Sequence, residues 1–244
     1  MKSYNIHLIR HGETLEAKKG AYIGTTDVPL SQEGIDNLQR LDDICKYPFA
    51  QALFTSPLKR CKQTCEILYP NLKPIVIDQL SECCFGEWEN KTAEQLKGDA
   101  DFDKWLAGDT SVKPPRGESS ADFTRRICLI FESIVAGLIK TGTTECAIVT
   151  HGGVIMTLLS VYGLPQAKPF DWVMENGCGY SIRINPMLWQ RDKVSEVYRQ
   201  IPIIPDDLQN EPEYDDYDIE RDVYEDYDPE KDGWQSLKTD NENS

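Results

Sequence analysis

Histidine is scarce in this chain, three residues among 244, and its eight cysteines include no CxxC pair. A zinc site of closely spaced thiolates and imidazoles is therefore not expected, and no metal or other cofactor is assigned. Cys61 and Cys65 stand four apart among apolar neighbours, as two small buried residues on one helix face would. Cys83 and Cys84 are adjacent, a placement that rarely pairs. Reduced thiols in a cytoplasmic protein are the expectation. No basic run or aromatic-basic ladder occurs, which argues against nucleic acid as a partner. Long apolar runs are missing too: nothing approaches the ~20 residues that cross a bilayer, so no membrane partner is expected. The stretch MKSYNIHLIRHGE turns polar too soon for a secretory signal core.

The formal net charge is -15, and its location matters more than its size. Residues 206–244 carry 16 acidic and 3 basic side chains, whereas residues 1–205 are close to neutral, with 25 acids and 23 bases. The acidic stretch contains an imperfect repeat, YDDYDIERD from Tyr214 and YEDYDPEKD from Tyr224. So polar a segment has little to bury. One domain over residues 1–205 with a disordered acidic, Tyr/Asp-rich tail over 206–244 is expected. The domain's length suffices for a sizeable core.

Apolar runs alternate with helical periods along the domain, the pattern of crossover units. It predicts a three-layer α/β/α sandwich around a mostly parallel central sheet. Strands are expected at Tyr4 to Ile9, Gln51 to Thr55, 74–78 and Glu145 to Val149, with a hairpin-like pair at Gly179 to Ile184 and Val194 to Gln200. Ser31 reads as an N-cap for a helix whose buried stripe is Ile35, Leu38, Leu41 and Ile44. Ser56-Pro57 reads as the start of a second helix, with Leu58, Cys61, Cys65 and Leu68 at spacings of three and four. Phe123 to Leu138 marks a long helix, and Val154 to Leu159 another. Residues 79–118 are an irregular excursion of the kind that forms lids and binding elements.

Arg10 and His11 follow the first strand directly, and His151 follows the strand that ends at Thr150. Both histidines precede glycine. They should therefore stand at the carboxyl edge of the sheet, where open α/β folds bind ligands. Gly12 allows the backbone a positive φ at little cost. If the two strands are neighbours, roughly 4.8 Å apart, the two imidazoles can face one ligand. Lys59 and Arg60 lie in a helix's first turn, where the dipole disfavours cations. That violation makes sense if an anion is held there by the helix amides and the Arg60 guanidinium together. His7, inside the first strand, reads as structural.

Four segments in order, LIRHGET (Leu8 to Thr14), FTSPLKRCKQT (Phe54 to Thr64), LSECCFGEWE (Leu80 to Glu89) and VTHGGV (Val149 to Val154), resemble the motifs of the histidine phosphatase superfamily, the phosphoglycerate mutase-like fold. The resemblance spans roughly residues 4–200. It implies that His11 is a nucleophile that becomes phosphorylated. It also implies that Arg10, Arg60 and His151 hold the transferring phosphoryl oxygens, and that Glu82 is the acid which later activates water. Gly24 resembles a substrate-loop position. GEWE is closer to the phosphatase branch, that of α-ribazole phosphatases and broad-specificity phosphatases, than to the mutases. Ala17 departs from the asparagine that often follows RHGET, and Asn90 from the glycine that follows GEWE.

The resulting expectation is a cofactor-independent phosphomonoesterase for a small phosphorylated substrate, such as α-ribazole 5'-phosphate or a sugar phosphate. A phosphoglycerate-type mutase and a non-catalytic phospho-ligand-binding protein are the alternatives. Such chemistry asks that His11 be neutral while His151 is charged. Glu87, Glu89 and Glu118 compete with Glu82 for the acid role. Phe85 and Trp88 suit a substrate pocket and a packed core about equally.

Overall fold

A computed structural model describes residues 2–107, 109 and 111–205 of the chain; the acidic repeat and its expected disorder lie outside the described residues. In chain order the elements are β1 (Tyr4–Arg10), α1 (Gln32–Ile44), β2 (Ala52–Thr55), α2 (Lys59–Leu68), β3 (Ile75–Val76), α3 (Ala93–Leu96), α4 (Ala100–Leu106), α5 (Ser120–Thr141), β4 (Glu145–Thr150), α6 (Gly152–Tyr162), β5 (Gly163–Leu164), β6 (Gly179–Ile184), α7 (Pro186–Asp192) and β7 (Ser195–Ile201). The strands form one sheet in the order β3-β2-β4-β1-β6-β7-β5. β1 pairs in parallel with β4, β4 with β2 and β2 with β3, while β6 runs antiparallel to both β1 and β7. The expected mostly parallel sheet is present.

Helices cover both faces because the central strands are apolar on both faces. Successive side chains alternate across the sheet. Ile6 and Leu8 of β1, with Cys146 and Ile148 of β4, pack on one side against Ile127, Phe131 and Ile134 of α5 and Ile155 and Leu158 of α6. Ile9, Ala147 and Val149 pack on the other side against Leu38 of α1 and Cys61, Cys65 and Leu68 of α2. All eight cysteines are free thiols. Among the described residues no helix is long and apolar enough to cross a membrane.

Several local expectations need correction. Ser31 caps α1 as expected, accepting from the Gly34 amide at 3.0 Å, but of the anticipated stripe only Leu38 is fully buried and Ile44 is 43% exposed. The third strand shrinks to Ile75–Val76, an exposed edge. The β6-β7 pair is antiparallel but is joined through α7 rather than a tight turn. α2 begins at Lys59 with Leu58 at its cap and no capping side chain, so Ser56-Pro57 lies ahead of the helix. The excursion builds a small core of its own, in which Trp88, Leu96 and Phe102 are buried and Tyr22, Phe85 and Trp105 pack around them. That settles Trp88 as core and seats Phe85 at its margin.

Asn90 explains itself in the backbone. Its φ is 63°, in the left-handed region, where glycine is easiest and asparagine is the next most tolerant residue.

Candidate active site

β1 and β4 are neighbours, with Arg10 level with Thr150, so the residues that follow them emerge side by side. The His11 amide donates to the Thr150 carbonyl at 3.0 Å, extending the ladder by one bond past the strand end. The imidazoles of His11 and His151 then meet edge to face, with ring centroids 5.1 Å apart. Two histidines that are 140 residues apart in sequence thus face each other because adjacent parallel strands end at the same level.

Gly12 does not use the positive φ open to it; it is required for space instead. A Cβ there would lie 2.6 Å from Leu38 Cδ1. Its amide donates to Thr64 Oγ1 of α2 at 3.0 Å. The loop that carries His11 is thereby wedged between α1 and α2.

The protonation of His11 follows from its partners. Nδ1 lies 2.6 Å from the Gly12 carbonyl oxygen, which can only accept, so Nδ1 carries the proton. Nε2 therefore presents a lone pair, and the Nε–H of Arg60 donates to it at 3.2 Å. Burial pushes the His11 pKa well below 6.5, and the positive charges of Arg60 and Arg10 push the same way. His151 is fully buried, and its pKa is also driven well below the ordinary value, first by burial and then by His11, Arg60 and Arg10. Both imidazoles are thus biased toward the neutral form. Charging His151 in so buried a place calls for an anion to offset the desolvation of the imidazolium.

Arg60 reaches away from the helix end into the site and is 1% exposed. Besides His11 it donates to the carbonyls of Thr26 at 2.8 Å and Gly24 at 2.7 Å. The two halves of the anion expectation therefore separate. At the α2 N-terminus the Lys59 amide is taken by the Asp27 carboxylate at 2.6 Å, and the guanidinium is displaced toward His11. Arg10 donates to the Met174 carbonyl at 2.7 Å and packs beside Gly152.

Glu82 approaches from the start of the excursion. Its carboxylate accepts from the amides of Cys83 at 2.9 Å and Gly153 at 3.0 Å, the latter in the first turn of α6. A Cβ on Gly153 would stand 2.5 Å from Glu82 Oε1, so only glycine admits the carboxylate there. Burial raises the Glu82 pKa; the two amides and then Arg60 and Arg10 oppose the rise.

The competing carboxylates are occupied elsewhere. Glu87 is exposed beside Arg116, and Glu118 pairs with Arg126 at 2.7 Å. Glu89 accepts from the amides of Gly24, Thr25, Thr26 and Phe85. Burial works against the Glu89 carboxylate, but these bonds and the Thr26 hydroxyl outweigh it and hold its pKa low. Gly24 thus contributes a carbonyl to Arg60 and an amide to Glu89, and a Cβ on it would collide with the Cys83 carbonyl. His7 is a strand residue, bonded to Ser181 at 2.8 Å and Glu145 at 3.3 Å.

Three contributors escaped sequence reasoning. Ser56, taken for a helix cap, places its hydroxyl 2.8 Å from His151 Nε2. Thr64 anchors Gly12, and Arg126 contacts the loop that carries Glu82. None follows a helical or strand period; the Ser56 signal was present but is shared with ordinary caps. Beside the Glu82 loop opens a cleft of about 430 Å³ whose lining includes Thr25, Ser81, Cys84, Glu118 and Arg126, but neither site histidine.

Comparison with known proteins is consistent with this geometry. The sequence model of the histidine phosphatase superfamily (branch 1) matches residues 6–196. The adenosylcobalamin/alpha-ribazole phosphatase of Salmonella typhimurium is 28% identical over 185 residues, covering 72% of this chain and 89% of that protein. A phosphoglycerate mutase of Schizosaccharomyces pombe is 30% identical over 162 residues, covering 62% of this chain and 76% of that protein. The crystal structure of the alpha-ribazole phosphatase from Shigella flexneri superposes with a TM-score of 0.68 at 26% identity, covering 82% of this chain and 98% of that one.

Proposed function

Since the chain belongs to the histidine phosphatase superfamily, branch 1, we propose that it hydrolyses a small phosphomonoester in two in-line steps through a phosphohistidine on His11. The observation that carries this reading is the fixed tautomer: the Nδ1 proton is bonded to the Gly12 carbonyl, and the Nε2 lone pair lies beside the Arg60 guanidinium.

In the first step His11 Nε2 attacks phosphorus and the ester P–O bond breaks. Glu82, whose carboxyl burial biases toward the protonated form, gives its proton to the departing oxygen. In the second step the Glu82 carboxylate takes a proton from water as that water attacks phosphorus. The P–N bond breaks, and orthophosphate and neutral His11 result. Positioning and charge stabilisation supply most of the catalysis of such a loose transition state. Arg10, Arg60 and His151 provide both. A bound dianion repays the cost of charging the buried His151, so its protonation accompanies substrate binding.

No metal enters these steps. On this reading the charge falls to Arg10, Arg60 and His151, and the chelation test in the Discussion decides whether that suffices. The leaving group departs toward Glu82, beside the polar cleft. The names of the Salmonella and Shigella relatives make α-ribazole 5'-phosphate the first substrate to try, with sugar phosphates next. A panel of phosphorylated metabolites with free phosphate measured tests the reading. Release of phosphate supports it, and a rearranged phosphoester without release would assign the chain to the mutases.

A further inference from the structure

The acid of this reaction stands on a loop whose backbone is fastened residue by residue. Arg126, on the second turn of α5, donates from Nη1 to the carbonyls of Gln79 at 2.6 Å and Ser81 at 3.0 Å, and from Nη2 to that of Glu82 at 3.4 Å. The carbonyl left over, that of Leu80, accepts from Thr150 Oγ1 at 2.8 Å. Four successive carbonyls leading into Glu82 are therefore held, three by one guanidinium and one by the residue before His151.

Arg126 is itself aimed. Its Nε donates to Glu118 Oε1 at 2.9 Å and its Nη2 to Glu118 Oε2 at 2.7 Å. Every N–H of the guanidinium has an acceptor, a planar arrangement that an ammonium cannot reproduce. The Glu118 amide also donates to the Cys84 carbonyl at 2.9 Å, so the Arg126-Glu118 pair brackets the acid loop from both sides.

We propose that Arg126, oriented by Glu118, is a positioning residue for Glu82: it sets where the carboxyl proton sits relative to the leaving oxygen without touching the phosphoryl group. This rests on the acid-base reading of Glu82. Misplacement of a reacting group by about 1 Å can cost on the order of 10²-fold in rate, so a defect far from phosphorus can still be large. Its signature is dependence on the leaving group, because only a basic leaving oxygen needs the proton.

The test is a double-mutant cycle on kcat/KM, which reports phosphoryl transfer to the enzyme, with an alkyl phosphate and p-nitrophenyl phosphate. Arg126→Gln should lower the alkyl phosphate value by about 10-fold or more and the p-nitrophenyl phosphate value by no more than about 3-fold. In the Glu82→Gln background the same change should add less than about 2-fold, since the group it positions is gone. Arg126→Lys should resemble Arg126→Gln because the fork is lost.

Equal losses for both substrates, equal losses in both backgrounds, or a lysine variant with full activity would each overturn the proposal in favour of a plain structural anchor. Should Arg126→Gln unfold, Glu118→Gln releases the fork more gently and enters the same cycle. If Glu82→Gln alone fails to discriminate between the two substrates, the acid assignment fails; if it discriminates but Arg126 is additive with it, only the positioning role fails.

Discussion

The Nε–H of Arg60 donates to the Nε2 lone pair of His11 across 3.2 Å, so on the proposed mechanism the guanidinium that would stabilise transferring charge lies against the atom that attacks phosphorus. An entering phosphate would draw the guanidinium onto its oxygens and free the lone pair in the same movement. Bonds from a guanidinium to an anionic phosphate are stronger than the bond to a neutral imidazole that they replace.

Arg60→Ala should therefore reduce turnover by about 10² or more, the cost of one preorganised donor. KM should rise as well, because the Gly24 and Thr26 carbonyls lose their partner. Steady-state kinetics with one good substrate checks this, and an unchanged kcat would reduce Arg60 to a loop brace.

Burial depresses the pKa of both His11 and His151. A histidine so shifted stays neutral until pH falls through its lowered value. Nitrogen NMR of the free enzyme should therefore show both rings neutral at pH 6.5, with His11 in the Nδ1–H tautomer. Adding orthophosphate should protonate His151. A charged ring in the free enzyme at that pH would contradict the assignment.

Gly153→Ala should fold but slow hydrolysis of alkyl phosphates, since its Cβ would lie 2.5 Å from Glu82 Oε1 and push the carboxylate aside. Gly152→Ala, whose added Cβ would come no nearer than 3.5 Å to Arg10 Nε, should be milder. Thermal melting beside the rates separates misfolding from misplacement.

Exhaustive chelation should leave activity intact if arginines alone neutralise the phosphoryl charge. Loss that magnesium or zinc restores would bring a metal into the mechanism.

The convergence of His11 and His151 was legible because strand ends are visible as apolar runs, and parallel neighbours deliver their following residues to one edge. Arg60 was legible as a broken dipole rule. What stayed hidden were bonds between a side chain and a distant backbone group, such as Arg126 on the Glu82 loop or Ser56 on His151, which leave no period in the sequence. The tight space at Gly12 was hidden for a related reason. It depends on what packs nearby, here Leu38 of α1.

The central claim is covalent: phosphate passes through His11 Nε2. In Glu82→Gln the water-activating carboxylate is gone, so dephosphorylation should slow and the intermediate should accumulate. Rapid-quench reaction of this variant with labelled p-nitrophenyl phosphate, followed by peptide mapping, should place an acid-labile, base-stable label on His11 at close to one per active site, and none in His11→Ala. Turnover without label on His11, or label on another residue, would contradict the account.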